Sequence, residues 1–230
     1  MRYLGIDGCK AGWVVWLLNG GSPSFQIVTS LSDIADVLTQ SRALIDIPIG
    51  FSDSAQPDRL CDKAARKFLA PKRGSSVFPV PCKEAAYAET YQQACQINME
   101  QLGKKLSKQT WYILPKVREV DALLRQEPSV TLRESHPEVV FKALNKQPLS
   151  HSKKTIEGRA ERLAILNRYC PEWISVLTDS IEQTKRSMAQ PDDLIDAFAL
   201  MFIASKWPQL STLPETKAPL ANEIVYWQAN

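Results

Sequence analysis

The change of hydrophobic period within the first fifty residues constrains this chain more than any other feature. Residues 2–7 form a short apolar run ending in Asp7-Gly8, and residues 13–18, Trp-Val-Val-Trp-Leu-Leu, are β-branched and aromatic. Asn19-Gly20-Gly21 is a strong turn signal, and residues 25–29 make a third run, so three strands in an antiparallel meander are predicted. Then the period shifts. Leu31, Ile34, Ala35 and Leu38 fall at i, i+3, i+4 and i+7, a helix with one buried stripe, and Ser30 suits its N-cap. Residues 43–47 return to a buried strand, stopped by Pro48. A helix in this place crosses over the sheet and delivers its strand parallel to another, so the order predicts a mixed sheet.

The next expected strand is 129–134. The interval reads as helical at 57–69, 83–105 and 116–125, with breaks at 71–81 and 106–115. It is expected to be a large helical insertion, about 55–127, between the fourth and fifth strands. Helices follow around 138–144, at 155–169 and at 192–206, the last apolar nearly all round and therefore buried. The tail, 207–230, carries Pro208, Pro214 and Pro219 and a short strand candidate at 223–227. The expectation is an α/β fold with one domain over 1–206, followed by this tail.

Composition excludes several classes. With 230 residues, 44% hydrophobic and 23% charged, the chain can bury a core without metal or disulfide support and is not disordered. No apolar run approaches the roughly 18 residues of a membrane span, and Asp7 comes too early for a signal-peptide core. A soluble, cytoplasmic protein with no membrane partner is expected. Cys9, Cys61, Cys82, Cys95 and Cys170 show no C-x-x-C spacing, so neither a disulfide framework nor a zinc site is indicated. The net charge of +3 is uneven: residues 171–230 carry −4 and the rest +7, with basic clusters at 59–74 and 103–118. Such clusters suit an anionic partner or a solvated face.

The placement of acids is the chief functional signal. Asp7, Asp46 and Glu134 each stand at the C-terminal end of an apolar strand beside a breaker: Gly8, Pro48 and His136-Pro137. Alternation puts Asp46 on the face of Leu44, and Glu134 on the face of Leu132 and Val130. Carboxylates at buried sheet ends are costly unless paired or bound to a cation, and ligands of α/β sheets gather at strand C-terminal ends. Asp193 and Asp196, at i and i+3, share a helix face, while Asp192 points elsewhere or caps the helix. Ordinary complementation of the helix dipole accounts for Asp192 and Asp193, but poorly for Asp196, which leads into an apolar stretch.

This order of elements, with an acid on the first strand, another on the fourth and an acidic pair opening a late apolar helix, resembles the ribonuclease H-like fold. Asp193-x-x-Asp196-Ala197 resembles the corresponding helix of Holliday-junction resolvases. Several blocks, in order, resemble domain-of-unknown-function family 429, a family of predicted nucleases of that fold. They are Gly5-Ile6-Asp7-Gly8-Cys9-Lys10-Ala11-Gly12-Trp13, Asp46-Ile47-Pro48-Ile49-Gly50 and Ser75-Ser76-Val77-Phe78-Pro79. Further along come Leu114-Pro115-Lys116-Val117-Arg118-Glu119-Val120-Asp121, Glu134-Ser135-His136-Pro137-Glu138 and Asp192-Asp193-Leu194-Ile195-Asp196-Ala197.

The resemblance implies a metal-dependent nuclease. Asp7, Asp46, Glu134, Asp193 and Asp196 would then be catalytic and hold Mg²⁺ or Mn²⁺, though not all at once; oxygen ligands favour these hard ions. Lys10, Arg73, Ser75, Ser76, Lys116, His136 and Lys154 are the candidates for meeting the substrate. Lys10 suits a phosphate, the acid cluster or a plain salt bridge. Ser75 and Ser76, beside Lys72 and Arg73, suit a phosphate loop or a self-capped one. Lys116 opens a helix on which Arg118 reads as solvated. His136 is either a proton donor, a metal ligand or the holder of a turn. His151, Lys153 and Lys154 form a basic loop suited to phosphate but not specific to it. The expected partner is nucleic acid, DNA or RNA, and a homo-oligomer is compatible with the sequence. Two rivals stand beside this reading. One is a non-catalytic binding protein whose acids are neutralised by Lys10, Lys116 and Lys154. The other is a nucleotide hydrolase of actin-like type, which normally needs two such domains.

Overall fold

The β-hairpin at the N-terminus sets the geometry of everything that follows. In the computed structural model, which describes residues 1–216 and 222–229, β1 (Arg2–Cys9) and β2 (Gly12–Leu18) pair antiparallel down to Cys9 opposite Gly12. Gly12 has φ +138°, and a Cβ there would sit 2.1 Å from the Val28 carbonyl oxygen, so the turn accepts only glycine. Next come β3 (Pro23–Val28), a turn of 3₁₀ helix capped by Ser30, and α1 (Ala35–Thr39). The crossover returns β4 (Ser41–Ile45) parallel to β1.

The insertion holds α2 (Leu60–Leu69), α3 (Lys83–Ala86), α4 (Tyr91–Leu102) and α5 (Lys108–Gln126), after which β5 (Thr131–Glu134) lies parallel to β4. The five-stranded mixed sheet has the order β3-β2-β1-β4-β5. Then follow α6 (Pro137–Asn145), α7 (Ile156–Asn167), α8 (Ile174–Gln183), α9 (Pro191–Ala204), β6 (Leu210–Leu213) and β7 (Ile224–Trp227). No helix among the described residues is long and apolar enough to cross a membrane.

The structure corrects several expected boundaries. The helix expected at 83–105 is two, because Thr90 and Gln93 form a capping box that restarts the chain. The expected break at 106–115 is mostly helix: Ser107 caps α5 by accepting from the Thr110 amide at 3.0 Å, and Pro115 lies inside it. An internal proline costs about 3 kcal/mol, here offset by one continuous buried stripe of Thr110, Leu114, Val117, Val120 and Leu123. Helix α8 and strand β6 were not anticipated. The tail is no loose appendage, since β6 and β7 pair antiparallel and Ile224 and Val225 are buried; Pro219 lies outside the described residues.

Both faces of the sheet are covered. Leu4, Ile6, Ala43, Ile45 and Leu132 pack with α5 through Val117, Val120 and Leu123. Val14, Trp16 and Leu44 pack on the other face against α9, and the Trp16 Nε1 donates to the Leu194 carbonyl at 3.0 Å. Helix α9 lies directly on β1 because Gly5 has no side chain. A Cβ on Gly5 would come within 2.0 Å of the Ala197 carbonyl oxygen and the Met201 amide nitrogen. Both obstacles are helix backbone, so the helix itself must shift to make room. Gly5→Ala is therefore expected to cost about 3 kcal/mol, read as a lower midpoint of urea unfolding. An unchanged midpoint would show that this close approach is not what seats α9.

Candidate functional site

The same close approach brings two acids together. Asp7 lies two residues beyond Gly5 and points to the same face, and Asp196 sits on the first turns of α9 beside Ala197. The Asp46 amide donates to the Ile6 carbonyl at 3.0 Å, so Asp46 ends β4 next to Asp7. Its parity with Leu44 sends its carboxylate to the α9 face. Asp7 and Asp196 are almost wholly buried, at 6% and 1% exposure, and Asp46 is half-buried.

Crowding shows in their proton affinities. Burial, and then the Asp46 carboxylate with help from Asp196 and Asp193, push Asp7 well above the usual carboxylate range, while Lys153 pulls the other way. Asp46 is raised by burial, against His136 and Lys153. Asp193 is pushed up to about 6 by burial, with Asp192 and Asp196 adding. Asp193 is partly engaged elsewhere: its Oδ2 accepts from the Gln190 amide at 2.8 Å, closing the capping box of α9.

Lys153 occupies the middle of this cluster. Its Nζ stands 2.8 Å from Asp196 Oδ2 and 3.6 Å from Asp192 Oδ2. Asp196, then Asp7 and Asp46, hold the ammonium above the ordinary lysine range despite burial. The other oxygen, Asp196 Oδ1, is buried with no hydrogen-bond partner among the described residues. It faces Arg162 Nε at 4.0 Å, which is likewise unpartnered. Among the described residues, no group of three or more His, Cys, Asp or Glu side chains is arranged to hold a metal ion as the chain stands.

Glu134 lines the same cavity as these acids, but a cation already holds it. Paired with Ile45 across the β4–β5 ladder, it points to the α5 face with Leu132. Both its oxygens are taken: Oε1 accepts from Arg59 Nη2 at 2.8 Å, and Oε2 accepts from Arg59 Nη1 at 2.9 Å and from the Ile49 amide at 2.7 Å. Arg59 also grips Asp62, and the three are buried together. Glu134 thus shapes the segment after Asp46, while Ser135, whose amide donates to the Ile45 carbonyl, stands beside Asp46 instead.

One cavity of about 580 Å³ is lined by Asp7, Asp46, Glu134, Asp192 and Asp196 together with Lys72, Arg73, Lys116, Lys153 and Lys154. Ser75 and Ser76, in a 3₁₀ turn, line it too, and Arg73 reaches across to donate to the His151 carbonyl at 2.6 Å. His136 also lines it, but as the holder of a turn: Nδ1 accepts from the Glu138 amide at 3.2 Å and Nε2 lies 3.3 Å from the Ser76 carbonyl. Lys116 donates to the Gly12 carbonyl, lies 4.1 Å over the Trp13 ring, and has its proton affinity lowered by burial. Neither Lys10, exposed in the β1–β2 turn, nor Asp193 lines the cavity. Two central residues, Arg59 and Arg162, escaped the sequence reading, as did the pairing of Lys153 with Asp196.

The burial of Asp7 has a measurable consequence. Its carboxylate is easier to protonate in the folded chain than in the unfolded one, so its charge lowers stability as pH rises from the unfolded value of about 4. Asp7→Asn keeps the acceptor for the Gly8 amide, which now bonds Oδ1 at 2.7 Å. In EDTA at pH 8 this variant is expected to melt above the wild type, with the gain fading as pH falls to about 4. A gain that does not change with pH would contradict the assignment.

No curated protein and no solved structure matches the chain. A family model described as "Protein of unknown function (DUF429)" matches residues 5–217, so the chain belongs to that family.

Proposed function

We propose that this protein is a metal-dependent phosphodiesterase that hydrolyses nucleic-acid backbones on a ribonuclease H-like frame. The observation that carries the reading is the mixed lining of the cavity: converging acids and a set of bases and serine hydroxyls in one space. Acids alone would suit a cation and bases alone an anion; both together suit a cation and a phosphate side by side. The sheet order and the acids on β1, at the end of β4 and on the late apolar helix support the frame.

The donor set fits Mg²⁺ or Mn²⁺. It is all oxygen, Asp196 Oδ1 is a buried acceptor with no hydrogen-bond partner among the described residues, and Asp7 is raised by burial and by the Asp46 carboxylate. Asp7, Asp46 and Asp196 are the residues that would hold the ion; Asp193 does not line the cavity, and its Oδ2 already accepts from the Gln190 amide. Such ions, when bound, supply an activated water and neutralise charge on the leaving oxygen. The chain's own residues do the rest. Lys72, Arg73, Lys154 and the serine turn bind and orient phosphates, and the Arg59–Glu134 pair keeps the segment after Asp46 in place. A second reading, a non-catalytic nucleic-acid- or protein-binding protein, draws on the Lys153–Asp196 pair, which already neutralises one acid.

Cleavage of a labelled oligonucleotide in Mn²⁺ separates the two. Asp7→Asn and Asp196→Asn are each expected to lower the rate at least about 100-fold with the fold retained; full activity in both removes the ligand assignment. A wild type with neither cleavage nor a Mn²⁺-dependent rise in melting temperature favours the binding protein. Lys154 is exposed. Lys154→Ala is expected to weaken oligonucleotide binding evenly across sequences and to reduce the salt slope by about 1. An unchanged slope would take Lys154 out of the phosphate contacts.

A further inference from the structure

We infer that Lys153 is the resident counter-cation of the acid cluster, so that a divalent ion enters only by displacing its ammonium. The inference rests on the metal-dependent reading above and names the residue that governs how that metal binds.

Three observations carry it. The Lys153 ammonium lies where the acids converge, 2.8 Å from Asp196 Oδ2 and 3.6 Å from Asp192 Oδ2, inside the cavity that Asp7 and Asp46 also line. A second cation cannot share the same oxygen at that distance without strong repulsion in so buried a place.

The backbone that carries Lys153 is fixed, so the exchange is a movement of one side chain. The His151 carbonyl accepts from Arg73, and the amides of Ser150 and His151 donate to Glu161. The Thr155 amide donates to the Ser152 carbonyl at 3.0 Å. Gly158 on α7 lies so close beneath that a Cβ there would stand 1.8 Å from the Ser152 carbonyl oxygen. A lysine stem has four rotatable carbons and holds its charge as a movable point, so the ammonium can leave while residues 150–155 stay.

Asp196 is not stranded when it goes. Arg162 is fully buried, always charged, and held by the Gly158 carbonyl and Glu138, with its unpartnered Nε 4.0 Å from the unpartnered Asp196 Oδ1. One oxygen of Asp196 thus faces a permanent cation and the other a replaceable one. Once displaced, the ammonium still lies in the cavity shared with Lys72, Arg73 and Lys154, where a substrate phosphate gives it a new partner. Metal and phosphate therefore help each other bind, each removing a cost that the other would meet alone.

The test compares full-length wild type with Lys153→Met by titrating Mn²⁺ at fixed ionic strength without substrate. Free ion is read by electron paramagnetic resonance, and melting temperature is followed in parallel. Lys153→Met is expected to bind Mn²⁺ roughly tenfold more tightly, to melt lower in EDTA, and to gain more from saturating Mn²⁺ than the wild type does. Equal affinities, or binding by the wild type alone, overturn the role of Lys153 and leave the metal reading standing. Absence of Mn²⁺ binding in both overturns the two together. Lys153→Gln, which keeps a neutral donor for Asp196, supplies the same comparison if the methionine variant does not fold.

Discussion

The contact between the backbone of α9 and the bare Cα of Gly5 is the constraint from which the site follows. Sheets and helices usually pack with a layer of side chains between them, at about 10 Å. Removing that layer at one residue lets the helix settle onto β1, and it does so one turn from Asp196 and two residues from Asp7. Two carboxylates on elements nearly the whole chain apart are thereby pressed into one buried space. The apolar girth of α9, buried from Leu194 to Ala204, holds them there against their own repulsion. Hydrophobic burial, in effect, is the force that keeps like charges close.

That repulsion organises the surroundings. Lys153 enters from the segment before α7, Arg162 rises from α7 itself, and both meet Asp196 from different sides. The bases that complete the cavity come from the insertion, through Lys72, Arg73 and Lys116. Sheet, insertion and late helices thus each contribute charge to a single space, and none of them forms it alone.

Much of this was readable in the residues. The meander, crossover and parallel strand announce themselves through period changes, and α9 through an apolar run too broad for a surface helix. Asp7 and Asp46 could be placed because strand alternation is strict. Glu134 was harder, although its parity with Leu132 was plain. Both sheet faces are buried here, so apolar residues on a strand do not reveal which face they occupy, and the two sets look alike from the sequence. The charge partners were illegible for another reason. Lys153 meets an acid 43 residues away and Arg59 one 75 residues away, and no local pattern encodes such pairs. Proline misled at α5, where a buried stripe on the far side of the helix outweighed the lost hydrogen bond.

The Arg59 guanidinium binds one carboxylate from the first turn of α2, Asp62, and one from the far strand of the sheet, Glu134. Such a shared ion in the interior acts as a rivet between two parts of the chain that are distant in sequence. Splicing out residues 55–127 would therefore do more than shorten a loop. It would leave an uncompensated anion under the sheet, at a cost of about 3–5 kcal/mol. The inserted helices are for that reason part of the protein's foundation and not a module that could be exchanged at will.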